Sequence, residues 1–92
     1  MLAKFENGCF LEVIHNKNEN EYDYTIYNSE LDDVYSGYTE YRSMEMYYPM
    51  NEIGYILTYC IPEDFVELDG KYEILEYETM EEYLKSLNEV IK

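Results

Sequence analysis

Between Leu2 and Tyr41 apolar and polar positions alternate with the period of a strand, and after Pro49 the spacing lengthens to that of a helix. Leu2–Glu6 and Cys9–His15 flank Asn7-Gly8, a pair that can take the positive φ angles of a two-residue hairpin turn. The second of these runs, Phe10-Leu11-Glu12-Val13-Ile14, is apolar at nearly every position and suits a central strand. Asn16–Asn20 is turn-forming and aperiodic. Residues 21–27 alternate again, with Tyr22, Tyr24 and Ile26 on one face and Asp23, Thr25 and Tyr27 on the other. A turn over Asn28–Asp33 returns the chain along Val34–Tyr41, where Gly37 marks a bulge or a close approach. These runs predict an antiparallel meander.

Beyond Pro49 the residues Ile53, Ile56, Leu57 and Cys60 form one apolar stripe of a short helix that ends before Pro62. Phe65–Leu68, Asp69-Gly70 and Lys71–Tyr77 read as a second hairpin. Thr79-Met80-Glu81-Glu82 matches a capping box, and Met80, Tyr83, Leu84, Leu87, Val90 and Ile91 follow on one helical face. The expected fold class is α+β: an antiparallel meander sheet with two amphipathic helices packed on one face. Residues 1–92 make a single domain, because a chain this short has room for one core.

Charge changes the picture most. Twenty-one Asp and Glu face six Lys and Arg, for a formal net charge of −15. Such a potential opposes direct contact with nucleic acid and with anionic membrane surfaces, and favours a basic partner. It is equally compatible with a plain solubilising role. Thirteen tyrosines supply much of the apolar fraction, and eight of them fall within residues 19–48, interleaved with carboxylates. Exposed tyrosines offer contact area at low entropic cost, and carboxylates engage Arg or Lys. The residues predicted to bind a partner are therefore Glu21, Asp23, Tyr24, Asp32, Asp33, Tyr35, Tyr38 and Glu40, with Tyr47 and Tyr48 in a Met-rich patch. The alternative is that half of these rings are core and the acids an ordinary solvated strand face. A nucleic-acid mimic needs more than one such row. Alternate carboxylates recur every ~7 Å along a strand, against one charge per ~1.7 Å of duplex axis. Residues 63–82, with nine acids and one lysine, would supply a second row.

Catalytic and metal chemistry find little footing. His15 is the single histidine, and one histidine at a strand end does not by itself supply the positioned pair and pocket that a general base needs. Cys9 and Cys60 have neither the spacing of a zinc ribbon nor that of a disulfide framework. The four glycines form no phosphate-cradling loop. Asn16, Asn18 and Asn20 open like a calcium loop, but Glu21 stands where its glycine belongs and Tyr27 where its last glutamate belongs. No enzyme activity, cofactor or metal is expected. No leader pattern and no long apolar run is visible, so the expected compartment is the cytoplasm.

The run Glu21-Tyr22-Asp23-Tyr24-Thr25-Ile26-Tyr27-Asn28, followed by Leu31-Asp32-Asp33-Val34-Tyr35-Ser36-Gly37, resembles the Tyr-rich hairpin of small acidic domains from Firmicutes phages and conjugative elements, grouped with the large polyvalent protein-associated domains. It departs from them at Val34-Tyr35-Ser36-Gly37, where Asp-Gly-Gly would follow the turn. The family has no assigned catalytic residues, so the resemblance implies a setting rather than a site. In that setting small acidic proteins block host defences, and some anti-CRISPR proteins are similar in size and charge. The expected function is a non-catalytic inhibitor that masks a basic, nucleic-acid-binding surface of a host protein. The alternative is an accessory interaction module working through an exposed sheet edge or the patch at Met44–Met50, an edge that would also suit a homodimer.

Overall fold

The computed structural model describes residues 1–40, 52–61 and 71–91, the last three for their backbone only. Strands β1 (Leu2–Phe5), β2 (Phe10–Asn16), β3 (Glu21–Tyr27) and β4 (Asp33–Glu40) form the meander, and β5 (Tyr72–Leu75) joins the free side of β1. The sheet order is β4-β3-β2-β1-β5, with every pairing antiparallel. Helix α1 (Glu52–Tyr55) runs into a π-helical turn over Ile56–Cys60, and α2 (Met80–Ile91) closes the chain. The α+β class and the antiparallel meander are as the periodicity predicts. The expected strand at Phe65–Leu68, its Asp69-Gly70 turn, the helix-opening Pro49 and the helix-stopping Pro62 lie outside the described residues.

The helices do not share a face. Ala3, Leu11, Val13, Tyr24 and Ile26 point to one side and pack with Ile53, Tyr55 and Ile56 of α1 and its π turn. Leu2 and Phe10 point to the other side and pack with Met80 of α2, flanked by Tyr27, Leu75, Tyr83 and Leu84. The physical reason is the parity of β1 and β2, whose apolar residues occupy both faces, so that each face requires a cover.

Local chemistry explains the joints. In the first hairpin the Gly8 N–H donates to the Phe5 carbonyl at 3.0 Å, and the Phe5 N–H to the Cys9 carbonyl at 2.9 Å. Positive φ falls on Gly8, not on Asn7, so the loop has three residues with a glycine bulge instead of the two-residue turn expected. The β3–β4 turn is held by Asn28, whose Oδ1 accepts from the N–H groups of Glu30 (2.9 Å) and Asp32 (3.0 Å). The capping box forms in part: Thr79 Oγ1 accepts from the Glu82 N–H at 3.1 Å, while the Glu82 carboxylate reaches one residue further back, to the Glu78 N–H at 3.2 Å. The Met80 N–H is satisfied from outside the helix by the buried Glu12 carboxylate at 2.7 Å. That bond ties the positive end of α2 to the central strand.

Candidate functional site

The two faces of the β3–β4 hairpin carry different residues. Cross-strand neighbours Tyr24↔Gly37 and Ile26↔Tyr35 lie on the α1 side, whereas Glu21↔Glu40, Asp23↔Tyr38 and Thr25↔Ser36 lie on the other. Strand β2 extends that second face with Ile14 opposite Asp23 and Asn16 opposite Glu21. Helix α2 covers the part of this face near Leu2 and Phe10, and the part near Ile14 and Tyr38 stays open.

On the α1 side the structure corrects the expected site. Tyr24 is 6% exposed and belongs to the core. Its hydroxyl lies over Gly37, where an added Cβ would sit 2.6 Å from the oxygen. This close approach is what the glycine serves. Burial pushes the Tyr24 hydroxyl up to about 12, with further contributions from Cys60 and Tyr35. Tyr35 is half-buried and stacks beside Tyr24 at 6.2 Å, so it too faces α1. The signal was available in the sequence, since Tyr24 shares its parity with Ile26. A strand face holding a fully buried isoleucine turns its tyrosine inward as well.

On the open side Tyr38 is 66% exposed and stands among Glu21, Asp23 and Glu40, while Ile14 is 41% exposed beside Asp23. None of these strand positions carries Lys or Arg. Asp23 accepts a hydrogen bond from the Asn16 amide at 3.4 Å. The Glu21 carboxyl is raised to about 7, first by its hydrogen bond with Asp23, then by desolvation and by repulsion from Asp23 and Glu19. Two carboxylates one pleat apart on a shared face hold a proton between them more tightly than either would alone.

Asp32 and Asp33 do not join this group. Both are exposed at the turn end of the hairpin, with Asp33 opposite Tyr27 across a register shift. Six residue steps along β3 separate that end from Glu21, or about 20 Å. The hydroxyl of Tyr27, at the turn end, is raised by burial and by the charges of Glu12 and Asp33. Tyr47 and Tyr48, and the Met-rich patch around them, lie outside the described residues.

Other chemistry is sparse among the described residues. No group of three His, Cys, Asp or Glu is arranged to hold a metal ion, and no helix is long and apolar enough to cross a membrane. Burial pushes the Cys60 thiol up, against a smaller lowering by Thr39, and a thiol held that way is a poor nucleophile. Cys9 is buried. His15 stacks on Tyr22 at 4.7 Å with the rings 19° apart. A concavity of 340 Å³ at the β1–β5 pair brings Lys4 and Lys71 near Glu6 and Glu73, balanced in charge and with no nucleophile in its lining.

No protein-family model matches the chain, and no curated protein or solved structure matches it either.

Proposed function

We propose that this protein is a non-catalytic acidic binding module that docks through the open face of the β3–β4 hairpin onto a basic surface of a protein partner. By occupying that surface it keeps nucleic acid off it, as an anti-CRISPR-like inhibitor from a phage or mobile element would. One observation carries the reading: Glu21, Asp23 and Glu40 neighbour the exposed Tyr38 across the β3–β4 pair, with Ile14 beside Asp23 and no Lys or Arg among these positions. A central aromatic group within a charged rim is the usual anatomy of a specific docking patch. The net charge of −15 extends the attraction beyond the patch and speeds encounter with a cationic partner.

The test is capture on the immobilised protein at low salt, followed by identification of what elutes as salt is raised. Basic, nucleic-acid-binding proteins are expected in the salt eluate, and added protein should release nucleic acid from them. Retention indifferent to ionic strength contradicts the electrostatic mode. A second reading is favoured by the position of β4 as the last strand in the sheet order among the described residues, since such a strand can add one from a partner. Binding through β4 would survive neutralisation of Glu21, Asp23 and Glu40, which separates the two.

A further inference from the structure

At the sheet edge where β2 runs past the start of β1, a concavity of 190 Å³ gathers residues from five separate parts of the chain, Met1 among them. Its volume is below the roughly 300–1,000 Å³ of sites for drug-sized ligands, which sizes it for a single side chain. Ile14 and His15 come from β2, Tyr22 from β3, Glu52 from the first turn of α1 and Glu78 from the approach to α2. The His15 and Tyr22 rings stack almost parallel and present a planar wall. Glu52, on the first turn of α1, and Glu78, two residues ahead of α2, both line this edge, and the Glu78 Oε2 already accepts from the Met1 ammonium group at 2.9 Å. His15 and Tyr22 lie on the α1 side of the sheet and Ile14 on the side of the docking patch, so the concavity sits at the sheet edge between the two faces.

We propose that this concavity is an anchor site for an arginine side chain of the partner, its guanidinium against the His15–Tyr22 wall and bonded to Glu52 and Glu78. A flat delocalised cation fits a planar aromatic wall and offers several N–H donors to carboxylates on different elements, which a compact ammonium cannot do equally well. Interfaces concentrate their energy in such side-chain pockets, and arginine is enriched there. The assignment rests on the docking reading above and names the residue type that the partner must contribute.

The experiment is a titration followed by amide NMR, with N-acetyl-arginine amide and its lysine and citrulline counterparts as probes. The arginine probe is expected to give saturable shifts centred on Ile14, His15, Tyr22 and Glu52, the lysine probe weaker ones and the uncharged citrulline probe none. Glu52→Gln should weaken the arginine probe about tenfold, the loss of one charge-assisted hydrogen bond. Equal binding of arginine and citrulline, or of arginine and lysine, overturns the proposal. So does an unchanged affinity in Glu52→Gln. An arginine-containing basic dodecapeptide separates this failure from that of the docking reading. Shifts at Asp23, Tyr38 and Glu40 with the concavity silent remove the anchor and leave the docking face; silence at both removes both.

Discussion

The two faces of the β3–β4 hairpin use the same residue type for opposite ends. On the α1 side Tyr24 is driven into the core beside Ile26, and Tyr35 packs behind it. On the other side Tyr38, three residues further along the same strand, is largely exposed among carboxylates. Tyrosine tolerates both because its ring can be buried while its hydroxyl finds a partner, or the whole group can stand in water. What decides between them is parity within the pleat, set by the register with β2. Richness in tyrosine is therefore not a measure of interaction surface; only the rings on the open parity are available to a partner.

The sharpest way to break this comparison is to truncate one ring on each side. Tyr24→Ala should cost about 3–5 kcal/mol in urea unfolding, as for other large aromatic core residues, whereas Tyr38→Ala should stay within about 0.5 kcal/mol. Similar losses for the two would mean that the faces have been assigned wrongly. Glu12→Ala comes next. It removes a buried charged acceptor from the Met80 N–H and should cost about 1.5–3 kcal/mol, with α2 amides losing exchange protection before those of β3. Gly37→Ala should cost roughly 1–3 kcal/mol, because the new methyl meets the Tyr24 ring and hydroxyl. The isosteric exchange Ser36→Ala on the opposite parity should be near neutral.

The smallest effect is on pH. Glu21 is raised from 4.5 to about 7 with Asp23, Glu19 and Glu40 as its acidic neighbours. The folded state thus holds a proton in that window which the unfolded chain has released, so this group makes stability fall as pH rises from about 4.5 to 7. Affinity for a cationic peptide should move the other way and rise as the proton leaves. Glu21→Gln should flatten both dependences, read by urea midpoints and peptide titrations across the window. A pH profile identical in wild type and Glu21→Gln would place the shared proton elsewhere.

Much of the fold was legible in the chain itself. The alternation over residues 21–27 places each side chain on its observed face, and Thr79 caps Glu82 as the local spacing requires. The continuous apolar run of β2 also contained the news that both faces are covered, though period-two reasoning on β3 alone directs attention to one. The reach of Glu12 to α2 was not legible, since the two residues lie 68 apart and meet only through tertiary packing. Of the expected docking residues, Glu21, Asp23, Tyr38 and Glu40 come together because antiparallel pairing brings the ends of β3 and β4 side by side. Asp32 and Asp33 separate from them because the same pairing sends the turn to the far end. The concavity at His15, Tyr22, Glu52 and Glu78 depends on where β1 begins relative to β2, which no spacing in the sequence encodes.

The account rests on the open face binding cations through its charge. The most direct measurement is the affinity of a basic dodecapeptide for wild type and for the triple variant Glu21→Gln, Asp23→Asn, Glu40→Gln across a salt series. Wild type should weaken steeply as salt rises, and the variant should bind less tightly at low salt and with a flatter slope. Two parallel lines of equal affinity would show that these carboxylates take no part in binding and would contradict the account.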